Sequence, residues 1–214
     1  GRRRHTRLRR DWSSDVCSSD LVRHPDIPRH GGYRCLKSFQ VASLVYDATA
    51  IFCDRFISKR SRTHDQMVEA ARSRRQNIAE GSAASGTSRK FGLKLTNVAK
   101  ASLEELLLDY EDYLRQNGLR QWNKDDPEAL AVRTKYRAYP AEWFAEGRPD
   151  DERPDPYGAA EAAPETVANT VLCLIHQATC LLKRQLASQE KTFLEEGGFT
   201  ERLYRQRSKR RRGS

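Results

Sequence analysis

Residues 63–81, Thr63-His64-Asp65-Gln66-Met67-Val68-Glu69-Ala70-Ala71-Arg72-Ser73-Arg74-Arg75-Gln76-Asn77-Ile78-Ala79-Glu80-Gly81, hold the reading that decides the fold. Thr63-His64-Asp65-Gln66 is a capping-box pattern, in which Thr63 and Gln66 each satisfy a backbone donor left open at a helix start. The helix is expected to run to about Glu80 and to end at Gly81, whose missing Cβ suits a turn conformation. Gln66, Ser73, Asn77 and Glu80 recur at near-helical intervals and form one polar seam. Ser102 and Glu105, three apart on the next helix, are placed to meet it. Buried polar groups are hydrogen-bonded, so a seam of this kind fixes helix register and pairing. A ligand-binding or catalytic role is the other reading of the same residues.

Helical periodicity extends outward on both sides. Upstream, Tyr33 to Ile57 carries Leu36, Phe39, Val41, Leu44, Val45, Ile51, Phe52 and Phe56, with Gly31-Gly32 as a break ahead of it. Downstream, Ser82 to Ser88 has a loop composition, and a helix from about Arg89 to Gln116 carries Leu95, Val98, Ala99, Leu103, Leu106, Tyr110 and Tyr113. Asn117-Gly118 stops it. Residues 119–162 are acidic and hold five of the eight prolines, which predicts an irregular insertion with one short helix near Pro127–Tyr136. Pro164 fits the first turn of a further helix bearing Val167, Val171, Leu174, Ile175, Ala178, Leu182 and Leu186, stopped by Gly197-Gly198. With no strand pattern in view, the expectation is an all-α protein: an antiparallel four-helix bundle over 31–198, interrupted by 119–162 and followed by a basic, mobile tail over 199–214.

The chain has 214 residues and a formal charge of +10. That charge is uneven. Residues 59–100 hold ten basic and three acidic side chains, residues 101–165 eight basic and sixteen acidic, and residues 202–214 seven basic and none acidic. No run of eighteen apolar residues and no apolar leader is present, so neither a membrane span nor a signal peptide is expected. Five cysteines without paired spacing predict reduced thiols in a cytoplasmic protein. Cys173, Cys180 and His176 on the last long helix are read as buried free thiols and a bundle histidine.

Residues 1–21 read differently from the rest. Arg10-Asp11-Trp12-Ser13-Ser14-Asp15-Val16-Cys17-Ser18-Ser19-Asp20-Leu21 resembles a translated short-read sequencing adapter, and Arg2-Arg3-Arg4-His5-Thr6-Arg7 fits the other end of the same oligonucleotide in frame. These residues are therefore set aside from function. A disordered basic arm is the rival reading.

Gln66-Met67-Val68-Glu69-Ala70-Ala71-Arg72-Ser73 followed by Asn77-Ile78-Ala79-Glu80-Gly81, together with Ala99-Lys100-Ala101-Ser102-Leu103-Glu104-Glu105-Leu106, resembles the bacterial four-helix-bundle family encoded in intervening sequences of large-subunit ribosomal RNA genes. Gly31-Gly32-Tyr33 and Glu195-Glu196-Gly197-Gly198-Phe199-Thr200-Glu201-Arg202 resemble its branch with a C-terminal suffix segment. The resemblance implies a four-helix bundle that assembles into a homo-oligomer, commonly a pentamer. One relative is a basic accessory protein of diversity-generating retroelements that binds reverse transcriptase and nucleic acid. Arg74 and Arg75 stand where relatives carry small, apolar or proline residues, and Leu107 replaces a frequent acid.

No Glu-x-x-His pair, Gly-rich phosphate loop, nucleophile elbow or zinc spacing occurs, so no catalytic residue, metal or cofactor is expected. The candidate nucleic-acid contacts are Arg72, Arg74, Arg75, Arg89, Lys90, Lys94 and Lys100, expected near one end of two helices, and Arg205, Arg207, Lys209, Arg210, Arg211 and Arg212 in the tail. No aromatic platform is interleaved with them, so backbone electrostatics rather than base readout is the chemistry indicated, for RNA or DNA alike. A solubilising charged surface is the competing reading. The functional expectation is a non-enzymatic, self-assembling scaffold that binds nucleic acid or a nucleoprotein partner; the alternative is a protein-interaction scaffold with no nucleic-acid role.

Overall fold

The computed structural model describes residues 32–135, 141–144 and 154–212. The adapter-like residues 1–21 lie outside the described residues, as do parts of the acidic insertion. Among the described residues, six α-helices follow a 3-10 turn at Gly32–Cys35: α1 (Lys37–Phe56), α2 (Arg62–Ala84), α3 (Arg89–Gln116), α4 (Pro127–Lys135), α5 (Pro164–Glu196) and α6 (Phe199–Arg212), with a further 3-10 turn at Ala141–Phe144. No strand occurs among the described residues, and none of their helices is long and apolar enough to cross a membrane.

Helix α1 packs on α2 and α5, α3 packs on the same two helices, and α4 lies on α5. The apolar stripes meet at the centre. Phe52 of α1 stacks against Tyr110 and Tyr113 of α3 at centroid distances of 4.9 and 4.8 Å. The buried Tyr110 hydroxyl donates to Thr49 Oγ1 at 3.1 Å, so its polar end is satisfied inside the core. Leu103, Leu106, Leu174, Ile175 and Leu182 complete this centre, each fully buried.

Local chemistry explains the ends of the elements. Helix α3 begins and ends where the periodicity places it: Ser88 caps it by accepting from Phe91 N, and Gly118 leaves it at φ +64°. Helix α2 corrects the expected start. Its cap is Ser61, whose Oγ accepts from Thr63 N at 3.2 Å, so Thr63 lies inside the first turn.

Gly81 is a second correction. It lies within α2, which runs on to Ala84, and its φ is not positive. Its small size serves packing instead. A Cβ added at Gly92 of α3 would fall 2.8 Å from Gly81 O and 3.0 Å from Ser85 Cβ, so the two backbones touch here. The insertion also carries more structure than its composition implies: Ala129, Val132, Phe144 and Ala159 are buried, and Arg55 of α1 donates to the carbonyls of Ala159 and Ala162 at 2.6 and 2.8 Å. The C-terminal segment, expected to be mobile, is helical as α6, in keeping with the good helix propensity of arginine and lysine.

Candidate functional site

The basic residues of α2 and α3 do not form one patch. Arg74 is fully buried, which removes it from any phosphate-binding surface. Arg75 turns toward α1 and stacks over the Tyr46 ring at 4.7 Å. Arg89 reaches α5 and donates to the carbonyls of Thr192 and Gly197 at 3.1 Å each and to Glu196 Oε2 at 2.5 Å. It thus closes the α5 C-terminus, where open carbonyls and the helix dipole favour a cation. Arg72 and Lys100 pair with Glu69 and Glu104, each at 3.6 Å. Lys90 and Lys94 are exposed on the first turns of α3. Helical spacing alone could not show that Arg74, Arg75 and Arg89 are drawn toward three different neighbours.

On α6 the picture differs. Arg205, Arg207 and Arg211 are exposed, as is Tyr204. The side chains of Arg202, Lys209, Arg210 and Arg212 lie outside the described residues.

The polar seam exists, but as an open groove and not as a buried contact between helices. Gln66, Glu80 and Glu105 are exposed, while Ser73, Asn77 and Ser102 are half-buried. Asn77 Nδ2 donates to Ser73 Oγ at 3.4 Å, within α2 itself. Ala71 and Ile78 of α2 and Ala99 and Leu103 of α3 are buried one helical step away, where Gly81 and Gly92 approach closely, so the seam lies at the open side of the α2–α3 pair. Between the N-terminal half of α2 and the C-terminal half of α3, Gln66, Ser73, Ser102 and Glu105 of the seam line a groove of about 780 Å³, with Asp65 and Glu69 on one wall and Glu105 and Asp109 on the other, while Asn77 and Glu80 lie outside it.

Arg74 does not line this groove, but the charges of two residues that do, Glu105 and Asp109, act on it. Burial is the largest influence on it and lowers its pKa from 12.5 to about 10; Glu105 and Asp109 pull the other way. None of its three side-chain nitrogens has a hydrogen-bond partner. Asp109 feels the reciprocal influences: burial pushes its carboxyl up, Arg74 pulls it down, and Asp112 and Glu105 push it up again. A buried guanidinium with unmet donors is unusual, because each such donor has lost its water.

A smaller hollow of about 230 Å³ lies between α4, α5 and the segment after α3, lined by Trp122, Arg133, Asn169, Cys173 and His176 among others. Its polar centre is already used. Asn169 Oδ1 accepts from Trp122 N at 2.8 Å, and its Nδ2 donates to the carbonyls of Arg120 and Glu165 at 2.8 and 2.9 Å. This buried asparagine pins the 119–123 segment to α5, a role the sequence pattern did not reveal. Burial pushes the Cys173 thiol up, and a protonated thiol is a poor nucleophile. Cys180 is exposed and Cys173 half-buried, which corrects their expected burial, and His176 is exposed; the deeply buried thiol is Cys53, pushed up to about 12 by burial.

Comparison of the chain with models of known protein families, with curated proteins and with solved structures found no match.

Proposed function

We propose that this chain is a non-enzymatic, self-assembling scaffold, built on an antiparallel four-helix bundle of α1, α2, α3 and α5, that binds nucleic acid through the phosphate backbone. The four described cysteines are all free, in keeping with a reducing cytoplasmic setting. The observation that carries the nucleic-acid part is α6: a basic helix with Arg205, Arg207 and Arg211 exposed. Lys90 and Lys94 supply a secondary contact, whereas Arg74, Arg75 and Arg89 are engaged within the body or buried. The family resemblance of the seam motif supports the oligomer and names a pentamer as its form. Charge-driven binding of this kind releases condensed counterions, so it weakens steeply with salt and discriminates little between RNA and DNA sequences.

A gel-shift titration over a salt series tests the reading. Replacing Arg205, Arg207 and Arg211 together by Ala is expected to lower affinity uniformly across sequences and to flatten the log–log salt slope by about two to three, near 0.7–0.9 per lost contact. Absence of binding by the intact chain at low salt removes nucleic acid from the account. The α2–α3 groove favours a second reading, a protein-interaction scaffold without a nucleic-acid role. Partners that stay bound after nuclease treatment would support it.

A further inference from the structure

The α2–α3 groove has a composition that calls for a particular occupant. Asp65 and Glu69 are four residues apart on α2, and Glu105 and Asp109 are four apart on α3. Each pair therefore spans about 6 Å along its helix. Arg62 is the cation among the lining side chains, so the groove is net acidic. Small residues floor it, with Ala70 and Ser73 from α2 and Ser102 from α3, which leaves room for large side chains to enter.

Arg74 of α2 is buried with none of its three side-chain nitrogens hydrogen-bonded, and the acidic charges that act on it are those of Glu105 and Asp109. Glu105 is exposed and Asp109 half-buried, so both carboxylates are open to solvent. A ligand that covers the groove and excludes that water would press them between itself and Arg74. The carboxylates would then gain cations on both sides, Arg74 from within the body and those of the ligand from outside.

The chain itself contains a segment of matching chemistry. On α6, Tyr204, Arg207 and Arg211 follow at i, i+3 and i+7, so one helix face presents an aromatic ring and two guanidiniums, all exposed. Arg207 and Arg211 repeat the four-residue spacing of the two acidic pairs. The molecule's own α6 does not bring both of them to the matching carboxylates of α3. Arg89 holds the C-terminus of α5 at the start of α3, through Thr192 and Gly197. Glu105 and Asp109 lie about 24 and 30 Å along α3 from Arg89, whereas Arg207 and Arg211 lie only about 12 and 18 Å from the start of α6. Laid flat along α3, Arg207 falls about 12 Å short of Glu105 and Arg211 about 12 Å short of Asp109, so the two matched spacings do not come into register within one chain.

We infer that the acidic α2–α3 groove of one copy receives the basic helix α6 of a second copy. This inference rests on the self-assembly in the reading above and is independent of its nucleic-acid part. The contact joins two different surfaces, so it closes as a reciprocal exchange or as a ring. Nucleic acid and the groove then compete for the same arginines, and polyanion binding to α6 loosens the assembly.

A charge swap in the nuclease-treated full chain, followed by sedimentation velocity at low salt, tests it. Glu69→Lys with Glu105→Lys, both exposed positions, is expected to weaken self-association tenfold or more. Arg207→Glu with Arg211→Glu is expected to do the same. The chain carrying all four changes should recover association, because the charges face one another again with signs exchanged. Circular dichroism checks folding, and Glu69→Gln with Glu105→Gln serves where the lysine variant is unfolded, with weakened association again expected. An assembling wild type whose association is unmoved by the groove changes, or a fourfold variant no better than either pair, overturns the inference and leaves self-assembly standing. A wild type that is monomeric at all concentrations overturns both.

Discussion

Two arginines, Arg89 and Arg74, sit on neighbouring helices and meet opposite fates. At the α3–α5 end, Arg89 is surrounded by acceptors: two backbone carbonyls and the Glu196 carboxylate. At the α2–α3 groove, Arg74 is more deeply buried and has no hydrogen-bond partner. The first region is closed by its own chain. The second holds charge that the chain does not satisfy, beside acidic walls open to solvent. The lesson is that position alone does not make a basic residue a binding residue. Acceptors supplied by the fold hold one arginine in place, whereas the other is buried without them.

Breaking the closed region should have the largest effect. Arg89→Ala removes charge-assisted bonds from a largely buried side chain and leaves the α5 carbonyls open, so urea unfolding should show a loss of about 3 kcal/mol. A loss under 1 kcal/mol would erase the contrast between the two arginines.

The groove side should respond in the opposite direction. Arg74→Met removes an unpaired buried charge while keeping much of its volume, and is expected to raise stability by about 2 kcal/mol. The pH dependence has a definite sign. A base whose pKa falls on folding, here from 12.5 to about 10, opposes folding in its charged form. That cost, on the order of 3 kcal/mol, is fully present below pH 10 and fades as pH rises from there toward 12.5. The stability gap between Arg74→Met and wild type should therefore be constant from pH 6 to 9 and narrow above 10. A variant less stable than wild type would show that Arg74 is paired in the isolated chain.

The smallest effect is expected at the surface. Arg72 pairs with Glu69 across exposed side chains, so Arg72→Ala should change stability by no more than about 0.5 kcal/mol in the same unfolding assay.

Much of the helical framework was legible because its signals are local. Ser88, Asn117-Gly118 and Pro164 mark ends by capping and backbone chemistry that does not depend on distant residues. The capping box at Thr63 competed with an equally good hydroxyl at Ser61, two residues earlier, and only the backbone trace separates them. Gly81 read as a terminator because its partner in the close approach, Gly92, is eleven residues away on another helix. The seam residues were found, yet their burial was not. Which side of a polar stripe meets a neighbour depends on how the Ala71–Ile78 and Ala99–Leu103 stripes interlock, a tertiary fact. Arg74 illustrates the same limit more sharply: nothing adjacent in sequence marks one arginine of an Arg-Ser-Arg-Arg run as the buried one.

Static light scattering of the nuclease-treated full chain, at low and then high salt, tests most directly whether the charge left open by this fold is meant for a second copy. The account predicts a multiple of the 24.6 kDa chain mass at low salt that falls to the single-chain mass as salt rises. A single-chain mass at every salt concentration would contradict it.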